Sequence, residues 1–167
     1  MIVVDDFLES GSWDKLRQEN LWTQRHSTFL TIDSEPKKVL DQIAFDIWDW
    51  YIEKHKPEHA YGIESWINSH SGPSENPLPW HRDKDERHYE KTSVKIHPMV
   101  GIVLYGHNEI PNGGYLEIKR DHGTESIEPV PNRLVVFDSS LWHRVTPMKS
   151  GERRTLASNL WDRHVNK

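Results

Sequence analysis

LWHRVTPMKSGERRTLASNLW, residues Leu141–Trp161, decides what fold to expect. After His143 the incoming arm alternates polar and apolar residues, as Arg144, Val145 and Thr146, the period of a half-buried strand, and the outgoing arm from Arg153 to Trp161 also reads as a strand. Between them Lys149–Glu152 carries Ser150-Gly151, a turn signal. A four-residue turn pairs Met148 with Arg153 and leaves His143 about five residues up the incoming strand, at roughly 3.4 Å per residue. His143 and Arg153 then do not touch, and a small molecule several atoms long fits between them. Arginine suits the far end of such a molecule, because its fork meets a carboxylate with two parallel hydrogen bonds.

The same texture extends outward. After Pro57, the runs Ile63–Ser69, Val94–Tyr105, Tyr115–Lys119, Ser126–Val130, Arg133–Phe137, Trp142–Thr146 and Arg153–Trp161 are divided by Gly, Pro and Asn. Seven short strands with no helix between them predict a sandwich or barrel. Before Pro57 the pattern differs. Ile2–Val4 reads as a strand, and Ser10 or Ser12 caps a short helix through about Glu19. Ser34-Glu35-Pro36 opens a second helix, running to about Lys54. Its Leu40, Ile43, Ala44, Ile47, Trp48 and Tyr51 fall at helical spacing, a face expected to pack on a sheet. Ser71–Pro79 holds three prolines and a glycine and reads as a loop. Lys84–Lys91 reads as a charged loop, either a solvated turn or a flap beside a site.

Composition bounds the function. A chain of 167 residues fits one domain, here 1–57 as strand and supporting helices and 58–165 as the β core. Apolar residues make up 35% and charged residues 28%, but 8 Trp, 5 Tyr and 4 Phe argue for a packed core rather than disorder. The formal net charge of −5 disfavours a generic nucleic-acid binder. No cysteine is present, which excludes thiolate metal sites, disulfides and cysteine nucleophiles. MIVVDDFLES lacks the basic flank and long apolar run of a secretory signal, and no segment reaches membrane-spanning length. A soluble cytoplasmic protein is the expectation; oligomeric state is not legible.

With 11 His, any metal here is held by nitrogen and oxygen. His81 and Asp83 are two apart, so an extended segment turns both to one face and Arg82 away. Such a pair arises about once by chance in a chain this rich in His and acid, and His88/Glu90 and His107/Glu109 are rivals of the same form. Pro77 and Pro79 favour the first pair by stiffening its approach. His143 supplies a second imidazole. Two histidines and one carboxylate suit non-haem Fe(II), leaving three positions open. Zinc also takes such ligands, and spacing alone does not separate the two.

Taken in order, the motifs resemble a family. His81-x-Asp83, Gly113-Gly114-Tyr115-Leu116-Glu117-Ile118, Arg133-Leu134-Val135-Val136-Phe137 and His143-x-Val145-x-Pro147-x-x-x-Gly151-x-Arg153 follow the sequence of motifs in Fe(II)/2-oxoglutarate-dependent oxygenases, nearest the prolyl-4-hydroxylase-like branch. Val3-Val4-Asp5-Asp6-Phe7-Leu8 is also similar to that branch. The resemblance implies a mainly β fold, a double-stranded β-helix (a jelly-roll, cupin-like barrel) with two N-terminal helices packed on one sheet. It implies His81, Asp83 and His143 as the catalytic iron ligands and Arg153 as partner of the distal carboxylate of 2-oxoglutarate. By the same likeness Tyr105 is a hydroxyl donor to that carboxylate. Thr155, on the face shared with Arg153, assists it, and Asn159 and Trp161 share that face and are expected to line the pocket. Fe(II) is the implied metal and 2-oxoglutarate and O2 the co-substrates, with room for ascorbate as a reductant.

Two positions depart from the pattern. Many relatives carry a tyrosine some ten residues before the first iron ligand, where this chain has Ser69-His70-Ser71. The nucleic-acid-demethylating branch carries a second arginine six residues after the first, where this chain has Asn159, which argues against that branch. The implied reaction is hydroxylation of a C–H bond, of a peptidyl residue such as proline, with 2-oxoglutarate going to succinate. Hydroxylation of a free amino acid or small metabolite, or a cupin-like metal protein without oxygenase activity, are the alternatives.

Overall fold

The structure, a computed structural model, describes residues 1–165. Asn166 and Lys167, the end of the expected single domain, lie outside the described residues. The chain runs β1 (Ile2–Val4), α1 (Ser10–Leu16), α2 (Glu19–Trp22), β2 (Ser27–Thr31), α3 (Val39–His55), β3 (Gly62–Ser71), β4 (Leu78–His81) and α4 (Glu86–Thr92). It continues with β5 (Val100–Tyr105), β6 (Asn112–Gly113), β7 (Leu116–Arg120), β8 (Gly123–Ile127), β9 (Leu134–Phe137), β10 (His143–Val145), β11 (Met148–Ser150) and β12 (Glu152–Trp161). A six-stranded sheet, β1-β9-β5-β12-β3-β2, faces a four-stranded sheet, β4-β10-β7-β8, and β6 pairs with β11. All pairings are antiparallel, as the double-stranded β-helix requires.

The two-residue period assigns each strand's faces. On β5, Ile102 and Leu104 point outward to α3, while Val103 and Tyr105 point between the sheets. On β12, Leu156 and Leu160 join the outer cluster, whereas Arg153, Thr155, Ala157 and Asn159 line the interior. The outer layer is sealed by Leu40, Ile43, Ala44, Ile47 and Trp48 of α3, all buried against Leu30, Ile63, Leu134 and Val136. Each fully buried Leu or Ile there contributes roughly 1.5–3 kcal/mol. A second cluster, Leu116, Ile118, Ile127, Val135 and Phe137 with Val103 and Tyr105, fills one end of the space between the sheets. The other end holds the polar residues described below.

Several expectations need correction. Helix α3 begins at Val39, not at Ser34-Glu35-Pro36, because the Asp41 carboxylate accepts the Lys37 and Lys38 amides at 3.2 and 3.1 Å and so caps the later start. It ends where Lys56 takes a left-handed φ of 43° before Pro57. The first helix stops at Leu16, and a separate single turn follows at Glu19–Trp22. Strand β5 starts only at Val100, and β8 lies at Gly123–Ile127 rather than Ser126–Val130. Residues 86–92, expected in a charged loop, are helical: the Asp85 side chain accepts the His88 amide at 2.9 Å and caps the turn. The hairpin pairing of Met148 with Arg153 does not form. Met148 pairs with Gly113, and Arg153 pairs with His70, so His143 and Arg153 belong to opposite sheets.

Candidate metal centre

His81 and His143 are register partners on β4 and β10, so the two imidazoles stand side by side on one face, with ring centroids 4.1 Å apart. Asp83 follows two residues after His81, just past the strand end. Its amide donates to the Ser139 carbonyl at 3.0 Å, and its own carbonyl is bonded by His97 Nδ1. Its carboxylate Oδ1 lies 3.7 Å from both His81 Nε2 and His143 Nε2. Among the described residues this is the one His/Cys/Asp/Glu group with donor atoms all within 4.8 Å of one another.

The ring nitrogens are assigned by their backbone partners. Nδ1 of His81 faces the Pro79 carbonyl at 2.8 Å, and Nδ1 of His143 faces the Leu141 carbonyl at 2.9 Å. A carbonyl only accepts, so each Nδ1 carries the proton and each Nε2 presents a lone pair to the common point. Burial holds His143 below its ordinary pKa against the opposing pull of Asp83, which keeps the ring neutral and able to ligate. Phe137 backs the His143 ring edge-on at 4.9 Å. The rival pairs do not assemble. His88 sits on α4, and His107 is buried between the Arg154 amide and the Pro129 carbonyl.

A narrow cavity of about 120 Å³ runs inward from these donors between the sheets. His81, Asp83 and His143 line it from one side, and Arg153 and Thr155 from the facing strand β12. Arg153 is 3% exposed, donates from Nε to the Gly114 carbonyl at 2.9 Å, and lies 5.2 Å above the Tyr105 ring. It enters none of the ion pairs among the described residues. Tyr105 is wholly buried with its hydroxyl beside the Arg153 guanidinium, and burial raises its pKa against the opposing pull of the Arg153 charge and of a hydrogen bond from that guanidinium. Thr155 pairs with Tyr105 across the β12–β5 ladder. Gly114 explains the Gly-Gly motif: its φ is +73°, and a Cβ there would meet Arg153 Cδ at 3.0 Å. A buried guanidinium with no counter-ion among the described residues, beside a buried hydroxyl, has the chemistry that suits an anion. The donor set at the other side, two imidazoles and one carboxylate oxygen, fits a divalent transition metal.

Outside the donors lies an open groove of about 550 Å³, walled by Trp66, Trp80, Trp142 and Tyr89. The segment 84–97 forms one wall and is closed at its base by the Asp85 amide bonding to the Ile96 carbonyl at 2.9 Å. Asn159 lines the inner cavity as expected, whereas Trp161 does not and instead donates from Nε1 to the Glu64 carboxylate at 3.2 Å; sequence reasoning missed Trp66 and Asn68 as cavity residues. The signal was available in the alternation of β3, whose Trp66, Asn68 and His70 share the inward face of their β12 partners. His70, opposite Arg153, has its pKa lowered by burial and by that guanidinium.

Solved structures with the same fold include a Pseudomonas putida prolyl-4-hydroxylase, 20% identical, covering 98% of this chain and 92% of that one, with a TM-score of 0.65. A viral collagen prolyl hydroxylase from Paramecium bursaria Chlorella virus-1 is 16% identical over 95% and 93%, with a TM-score of 0.56. HygX from Streptomyces hygroscopicus, solved with iron bound, is 12% identical over 96% and 81%, with a TM-score of 0.64. No curated protein sequence matches significantly. Residues 66–161, the span from the inward face of β3 to the end of β12, match the sequence model of one family. With its His-Asp-His group at the mouth of a β-helix, the chain belongs to the 2OG-Fe(II) oxygenase superfamily.

Proposed function

We propose that this oxygenase hydroxylates a C–H bond of a peptidyl residue such as proline, converting 2-oxoglutarate and O2 to succinate and CO2 as it does so. The observation that carries this reading is the convergence of His81, Asp83 and His143 on one cavity that also receives the unpaired Arg153. Fe(II) bound by the three donors supplies the oxidation of C–H to C–OH by O2. The chain's own residues do the rest. His81 and His143 offer neutral Nε2 lone pairs, and Asp83 offers one anionic oxygen. Arg153 takes the distal carboxylate of the keto acid by its fork, and its fixed Nε–Gly114 bond sets the direction in which that carboxylate lies. The Tyr105 hydroxyl offers a further donor there, and Thr155 stands beside it. The apolar cluster of Leu116, Ile118 and Phe137 keeps that end of the cavity dry.

The open groove suits a chain crossing the mouth of the site, and the named neighbours include prolyl hydroxylases. One observation favours the second reading, a free amino acid or other small carboxylate. Arg82 stacks on Trp142 at 5.0 Å and Lys95 lies 5.9 Å from the Tyr89 ring, and neither enters an ion pair among the described residues. Both face the groove and are free to meet an anionic group. The test is aerobic incubation of iron-loaded protein with 2-oxoglutarate and a panel of proline-containing peptides and free amino acids. Succinate release with a mass gain of one oxygen on a peptide supports the first reading, and the same on a free amino acid replaces it with the second. Absence of oxygen uptake and succinate with every substrate, and without substrate, would sink both.

A further inference from the structure

We infer that Asn159 is a positioning residue for the metal centre: its amide holds the second oxygen of Asp83, so that Asp83 ligates through one oxygen only. The inference rests on the metal site proposed above. Asn159 is 5% exposed and lines both the inner cavity and the outer groove. The two ends of an amide are distinguished by what surrounds them. One end of Asn159 faces Asp83 Oδ2 at 3.1 Å and the Ser158 carbonyl at 3.2 Å. Both are acceptors, so the NH2 end lies there and donates to each. The carboxylate is thereby divided. Oδ1 is turned to the two histidines, and Oδ2 is held by the amide.

The contact also joins the two halves of the site. Asp83 follows β4 in the four-stranded sheet, whereas Asn159 lies on β12 in the six-stranded sheet, six residues beyond Arg153 on the same inward face. A carboxylate free to rotate can offer both oxygens to a metal and fill a position that the keto acid or O2 must use. A hydrogen bond of charge-assisted strength to Oδ2 opposes that rotation. The second bond, to the Ser158 carbonyl, fixes the amide itself to the strand that carries Arg153. Ser158 is anchored in turn, its hydroxyl 2.8 Å from that of Ser65 on β3.

The test compares wild type, Asn159→Leu and Asn159→Gln, with folding checked by circular dichroism and Mn(II) binding measured by calorimetry without 2-oxoglutarate. The leucine, of similar size and without a donor, is expected to weaken Mn(II) binding by about tenfold or more, whereas the glutamine, which keeps the donor, stays within about threefold. Co(II)-loaded Asn159→Leu is expected to change its visible spectrum, which reports ligand number, while Asn159→Gln keeps the wild-type bands. A folded leucine variant with wild-type Mn(II) affinity and an unchanged Co(II) spectrum overturns the inference and leaves the metal site standing. A wild-type protein that takes up no metal overturns both. Should the leucine variant not fold, wild-type ¹⁵N spectra decide: the Asn159 side-chain resonances shift on adding Zn(II) if the amide holds Asp83, and stay put if it does not.

Discussion

Arg153→Met separates a residue kept for a ligand from one kept for the fold. The guanidinium is 3% exposed and has an anchoring hydrogen bond to Gly114 and no carboxylate partner among the described residues. A buried ion without a counter-ion carries a desolvation penalty of several kcal/mol. Methionine fills similar space without that penalty, so the metal-free variant should melt at or above the wild-type temperature. Its binding of 2-oxoglutarate should collapse. Removing one partner of a buried, hydrogen-bonded charge pair costs about 2–5 kcal/mol, which at 1.4 kcal/mol per decade is roughly 30-fold to several thousand-fold in affinity. Arg153→Lys keeps the charge and loses the fork, and should fall between the two. The assay is calorimetric titration of Mn(II)-loaded protein with 2-oxoglutarate, alongside a thermal melt of the same samples stripped of metal. If Arg153→Met binds 2-oxoglutarate within about threefold of wild type while melting many degrees lower, the guanidinium is structural and the reasoning fails.

Gly114→Ala forces a side chain into a φ of +73° and brings its Cβ to 3.0 Å from Arg153 Cδ. It should lose about 1–2 kcal/mol of stability in urea unfolding and weaken 2-oxoglutarate in the same direction as Arg153→Met. Asn132→Ala breaks two buried bonds that tie the N-terminal segment to the sheet, both at 2.9 Å to Leu8, at a residue with a φ of 57°. A loss of about 2–4 kcal/mol with unaltered Mn(II) affinity is expected. Burial lowers the pKa of His107 from 6.5, as it does for His143 and His70. The unfolded chain therefore takes up protons before the folded one does, and stability present above pH 6.5 is lost as the pH falls below it. His107→Asn should make that decline shallower in urea unfolding of the metal-free protein between neutral and mildly acid pH. An unchanged slope would assign the acid sensitivity elsewhere.

The face of each strand was legible, because alternation is a local property. Its partner was not. The turn at Ser150-Gly151 reads as a simple hairpin, yet β10 and β12 separate into different sheets, and His143 and Arg153 line one cavity from opposite sheets instead of lying along a ladder. Partner choice is decided by closure of the whole β-helix, which no short window contains. The three donors and Arg153 emerged from the order of their motifs, since each pair alone is common. Strand β2 was missed because its Ser27–Thr31 is polar and short and pairs on one side only, with β3. Helix α4 was missed because its amphipathic signal is absent: none of its residues is buried, and the Asp85 cap was lost among neighbouring charges. The contact of Asn159 with Asp83 is long-range and depends on which end of an amide faces a carboxylate, which no sequence pattern encodes.

The central claim is that two separated segments grip one metal beside a guanidinium that waits for a dicarboxylate. Diffraction at the manganese absorption edge, from crystals grown with Mn(II) and 2-oxoglutarate, tests it most directly. One anomalous peak among His81, Asp83 and His143, with the keto acid's distal carboxylate on Arg153, is the predicted result. A peak at any other cluster, or a keto acid turned away from Arg153, would contradict it.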